Sequence, residues 1–117
     1  MQLQEFYQAM GADYHVIHQR LHDDARIKKY LLQTAADPSF TLLKQSMETK
    51  DYVTAFRAAH SIKGICLNLE LCTLLRPVEQ LVEALRDGAP DEQCAAALYE
   101  TVAREVAKMT TYLETLE

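Results

Sequence analysis

A chain of 117 residues with a formal net charge of -5 is the size of one ordinary domain, long enough to bury a core and short for a multidomain enzyme. Apolar residues make up 49% and charged residues 25%, with only three glycines and three prolines, which excludes a disordered chain. The acidic balance gives no general attraction to phosphate backbones or anionic lipid, so nucleic acid and membrane surfaces are excluded as general partners.

Apolar residues recur at helical spacing nearly throughout, and no run alternates as a half-buried strand would, so the expected fold is all-α. Leu3, Phe6, Tyr7 and Met10 share one face of a first segment that stops near Gly11. Asp13 then caps a second segment carrying Ile17 and Leu21. Asp23 or Asp24 opens the next helix, with Ile27, Tyr30, Leu31 and Thr34 on its inner face and an end around Ala36.

Asp37-Pro38 places a capping carboxylate before a proline at the first helical position, and Phe40, Leu43 and Met47 follow as an apolar stripe ending near Lys50. Asp51 caps a helix that runs to about Leu69. The next begins around Cys72 or Thr73 and carries Leu74, Val78, Leu81 and Leu85; Pro77 is expected in its first turn, where backbone N–H groups have no intrahelical partner. Gly88-Ala89-Pro90 makes a turn, and Asp91 and Glu92 open a last helix with Leu98, Val102, Val106, Met109, Leu113 and Leu116 on one stripe. Four long helices with short connections predict an antiparallel four-helix bundle with short additional N-terminal helices, as a single domain over residues 1–117.

The N-terminal MQLQEFYQAM lacks a basic region followed by an apolar core, so no signal peptide is expected, and the default location is cytoplasmic. Cys66, Cys72 and Cys94 are odd in number and lack CxxC spacing, which points to reduced thiols serving as small apolar fillers.

The stretch AFRAAHSIKGICLNL raises the functional question. At about 100° per residue, Ala55, Ala58, Ala59, Ile62, Cys66 and Leu69 point toward the core. Val53, Phe56, Arg57, His60, Lys63, Gly64 and Leu67 fall on the opposite side. A glycine inside a helix costs about 1 kcal/mol relative to alanine, so Gly64, one turn past His60, needs a local reason. It clears space beside the imidazole. Lys63 and Arg57 add two cations, making a small pocket suited to an anion, and a neutral imidazole is a competent nucleophile near pH 7. A phosphoryl group on His60 fits this set, with Lys63 offsetting its charge. Val53, Phe56 and Leu67 read either as edge-of-core residues or as an apolar rim for a docking partner.

The run Ala59-His60-Ser61-Ile62-Lys63-Gly64, followed by Asn68-Leu69, closely resembles the signature of histidine-containing phosphotransfer (HPt) domains of two-component phosphorelays. It also resembles the phosphotransfer domain at the front of chemotaxis-type kinases. The resemblance covers most of the chain. It implies a four-helix bundle in which His60 is phosphorylated, Lys63 assists the phosphoryl group, and Gly64 gives access to a receiver domain; Arg57, Asn68 and Arg86 are expected to support the site. It further implies a response-regulator receiver domain and a sensor histidine kinase as partners; the carrier itself is expected to be a monomer. Many members carry a small residue after the glycine and a second glycine after Asn-Leu, where this chain has Ile65 and Glu70. A polar position facing the histidine in many members falls near Val82 here, with Arg86 one turn further on.

The chain has no GxxxxGK[ST] loop and no obvious acidic metal cluster, so no cofactor is expected in it; magnesium belongs to the partner receiver, and the chain is expected to carry a phosphoryl group, not to phosphorylate itself from ATP. Two other classes remain. A metal-binding helical bundle draws on His15, His18 and His22 at i, i+3 and i+7, and a non-catalytic adaptor draws on the Phe56 and Leu67 face.

Overall fold

Aspartates start five of the helices, each through a local hydrogen bond that satisfies an otherwise orphaned N–H group. In the computed structural model, which describes residues 1–117, Asp13 accepts from His15 N, Asp23 from Ala25 N, Asp37 from Ser39 N, Asp51 from Thr54 N and Asp91 from Cys94 N. The elements are α1 Leu3–Ala9, α2 Tyr14–Leu21, α3 Asp24–Ala35, α4 Pro38–Glu48, α5 Tyr52–Leu69, α6 Cys72–Leu85 and α7 Glu92–Glu114, with no strand. Between Asp23 and Asp24, it is Asp23 that caps α3; the Asp24 carboxylate accepts a hydrogen bond from the Tyr14 hydroxyl instead.

The most extensive packing lies between α4 and α5, α5 and α6, and α6 and α7, while α3 touches both α5 and α7. Ala55, Ala58, Ala59, Ile62, Cys66 and Leu69 of α5 are all buried, as the spacing predicts. They join Leu74, Val78, Leu81, Val82 and Leu85 of α6, Leu43 of α4, Ile27 and Leu31 of α3, and Val102, Met109 and Leu113 of α7 in one core. Burying these side chains is the main favourable term holding the helices together.

The N-terminal helices are tied to this core at the start of α6. Thr73 N donates to the Met10 carbonyl at 3.0 Å, satisfying a first-turn N–H of a helix whose N-cap, Leu71, offers no side-chain acceptor. Gly11 makes this approach possible: its φ of +72° lies in the left-handed region, and a Cβ there would meet the Thr73 methyl at 3.1 Å.

Four expectations are corrected. Pro77 lies inside α6, beyond its first turn, because the helix already begins at Cys72, so the Thr73 carbonyl loses its i+4 donor. Tyr30 is 40% exposed, because the buried face of α3 is the narrower stripe of Ile27, Leu31 and Thr34. Cys94 is exposed in the first turn of α7, so it is not a core filler. Cys66 does fill the core, and burial pushes its thiol up to about 12, which keeps it protonated and unreactive. Lastly, His15 and His18 lie on α2, but His22 ends that helix in a left-handed conformation (φ 66°) and leaves its face, and no group of three ligating side chains assembles.

No helix is long and apolar enough to cross a membrane. Tyr7 is fully buried with no partner for its hydroxyl, a polar atom placed in the core that the apolar stripe of α1 does not foretell.

Candidate functional site

α5 holds the site because its two faces do different work. The alanine face turns inward, and the opposite face leaves His60 exposed in the middle of the helix. The Phe56 ring lies one turn before, its centroid 6.0 Å from the imidazole, tilted by 42°. Val53 is 54% exposed and Leu67 is 50% exposed, so these two face solvent, whereas Phe56 is partly buried against the core and sits at its edge. Lys63 is partly buried, which fits a stem lying along the helix surface with the ammonium group free to reach outward.

Gly64 is the most informative position. An ideal Cβ built on it meets nothing within 4 Å, so no side chain or backbone of this protein requires its absence. Inside an 18-residue helix that glycine is a net loss of stability with no compensating internal contact. The space beside His60 is open, and the chain itself does not fill it.

The end of α6 completes one side of the site. Arg86 places its guanidinium carbon 5.6 Å from the Phe56 ring centroid, a cation–π contact. Arg86 also donates to Glu83 through Nε at 3.0 Å and Nη2 at 2.6 Å. These bonds hold the Glu83 carboxyl below the usual carboxylate range, with Lys63 adding a weaker attraction. Val53, Phe56, Arg57, Arg86 and Gly88 line an open recess of about 300 Å³. Gly88 is at φ +76°, and a Cβ there would press on Val53 at 3.3 Å.

Six of the predicted site residues, Val53, Phe56, Arg57, His60, Lys63 and Gly64, therefore share one outer face of α5, and Arg86 reaches that face from α6. Leu67 continues the face one turn further. Asn68 does not: it lines a separate recess of about 440 Å³ with Arg20, Tyr30 and Thr34, between α5 and the helices before it. Val82, at the position that is often polar in the resembled family, is fully buried and presents no group to His60. Glu83 is the site-adjacent residue that spacing alone did not single out. Its signal was a carboxylate in the last turn of α6, where the helix dipole disfavours negative charge.

Arg20 is a second residue the sequence did not reveal. From α2 it donates to the Leu67 carbonyl at 3.0 Å and the Asn68 carbonyl at 2.8 Å, and it pairs with Glu70 at 2.7 Å. Those carbonyls belong to the last turn of α5, which has no intrahelical donors for them. Glu70 occupies a left-handed conformation (φ 57°, ψ 42°), where glycine is favoured and another residue costs about 1 kcal/mol. The Arg20 pair offsets that cost. Arg20→Ala is expected to destabilise the fold by about 1 kcal/mol, the value of charge-assisted bonds in a half-exposed setting, read as a lower urea midpoint. An unchanged midpoint would show that the clamp contributes nothing.

Comparison of the chain with protein-family models, with curated proteins and with solved structures returned no match.

Proposed function

We propose that this protein is a histidine phosphocarrier of the HPt type, in which His60 accepts a phosphoryl group from a receiver-domain phosphoaspartate or a histidine-kinase system and passes it to another receiver aspartate. The observation that carries this reading is Gly64: a mid-helix glycine beside an exposed histidine, with open space where its side chain would be. A partner's reacting group needs such an opening, and the fold does not. The packing of α4 on α5, α5 on α6 and α6 on α7, through short connections, supports an antiparallel four-helix bundle for α4 to α7.

In the transfer, the lone pair of His60 Nε2 attacks the phosphorus of the aspartyl phosphate. The N–P bond forms as the P–O bond breaks, the aspartate leaves as a carboxylate, and the imidazole's other proton passes to solvent. Positioning and charge neutralisation supply most of the rate in such reactions, and the receiver's own carboxylates and magnesium do that work around the phosphoryl group. This chain contributes the nucleophile, the Lys63 ammonium and an unobstructed approach over Gly64. Val53, Phe56 and Leu67 offer the apolar rim on which the receiver docks.

The test is incubation with a receiver domain phosphorylated on aspartate, with magnesium present, followed by mapping of an acid-labile, base-stable phosphate. Labelling at His60 that vanishes in His60→Gln is the expected result. A folded protein that binds receivers but takes no label would leave an adaptor using the same rim.

A further inference from the structure

Resting on the phosphocarrier reading, we propose that Glu83 is an internal stand-in for the phosphoryl group: it holds the Arg86 guanidinium while His60 is unmodified and yields it when His60 is phosphorylated. The Phe56 ring neighbours both groups, its centroid 5.6 Å from the Arg86 guanidinium carbon and 6.0 Å from the His60 imidazole centroid. Phe56 thus holds the arginine beside the histidine through a cation–π contact, and a Cβ on Gly64 would meet no side chain, that of Phe56 included, within 4 Å. The Arg86 Nε and Nη2 donors are taken up by the Glu83 carboxylate, so this side of the guanidinium is occupied while Nη1 makes no bond.

Glu83 is out of place by helix electrostatics. It sits in the last turn of α6, where a negative charge opposes the carbonyl dipoles, while Arg86 at the C-cap suits them. Its partner is only three residues away and both side chains are exposed, so the pair is weak and readily exchanged. A phosphoryl group offers more negative charge and three strong acceptor oxygens, and it outcompetes one carboxylate for the same fork. Lys63 lies within electrostatic reach of Glu83, so the same carboxylate also offsets part of the Lys63 charge. Glu83 then sets how strongly the carrier retains its phosphoryl group against a receiver aspartate, and so how much of the group rests on His60.

The experiment measures the partition of a labelled phosphoryl group between a receiver aspartate and His60, read before appreciable hydrolysis. Glu83→Gln is expected to shift the partition toward this chain about threefold, the scale of an exposed ion pair, and Arg86→Ala to shift it the other way. The double variant decides the mechanism. If Glu83 acts by occupying Arg86, the glutamine substitution changes nothing in the Arg86→Ala background. An equal shift in both backgrounds means simple repulsion between Glu83 and the phosphoryl group, and overturns the proposal. So does a parental partition in Glu83→Gln. A parent chain that takes no phosphoryl group overturns this inference together with the phosphocarrier reading, whereas a labelled parent with an unchanged partition in Glu83→Gln overturns this inference alone.

Discussion

Gly64→Ala is expected to make the protein more stable and a much poorer phosphoryl acceptor. The added methyl group meets no packing neighbour beyond its own helical turn within 4 Å, so the substitution brings only the gain in helix propensity, about 1 kcal/mol. For a domain of this size that raises the thermal midpoint by about 4 °C. The same methyl group stands one turn from His60, on the stripe along which a receiver's phosphoaspartate comes in under the proposed transfer. A displacement of the reacting atoms by about 1 Å costs on the order of a hundredfold in rate, and that is the expected loss in transfer. The two effects have opposite signs, which separates them from any general damage. Transfer at the parental rate would mean that the opening is not used. A lower thermal midpoint would mean that the glycine serves the fold after all.

How much of this was legible in the sequence depends on the range of each interaction. Asp13, Asp23, Asp37, Asp51 and Asp91 bond to backbone groups two or three residues ahead, and a reader of the chain can find every one of them. The alanine face of α5 was legible for the same reason, since helical period alone places Ala55, Ala58 and Ala59 together. Periodicity falters at the margins of a stripe. It cannot tell the half-exposed Tyr30 from the buried Leu31 beside it, because that depends on which neighbour covers α3. It also cannot see Arg20 reaching Glu70, fifty positions away, so the absence of glycine at position 70 read as a departure when it is one side of an ion pair.

The site divides along the same line. His60, Lys63 and Gly64 were legible because they lie within two turns of one helix. Arg86 was legible only as a position after α6, whereas its contact with Phe56 and its pairing with Glu83 are tertiary facts. Asn68 shows the opposite error. It is near His60 in sequence but opens onto the recess beside Arg20, because eight residues of helix make two turns plus about 80°, which carries it round from the outer face.

Small residues occur on both faces of α5 for different reasons, and the inner face gives the complementary result. Ala59→Leu is expected to destabilise the fold by about 1–3 kcal/mol, since Ala59 is fully buried beside Ala58 and Ala55 and the added carbons have no space to enter. α5 packs at once against α4 and α6 and also touches α3, so relieving the clash at one neighbour presses α5 on another. The urea midpoint should fall by about 1 M, with helical circular dichroism retained below it. His60 is the next residue, yet its side chain points away from the contact, so the folded fraction of Ala59→Leu should still accept phosphate at a substantial rate. A midpoint within experimental error of the parent would show that the alanine face is loosely packed. Together with Gly64→Ala, the pair assigns each small residue by the sign of its effect: where the missing side chain serves the fold, filling it costs stability, and where it serves a visitor, filling it costs only transfer.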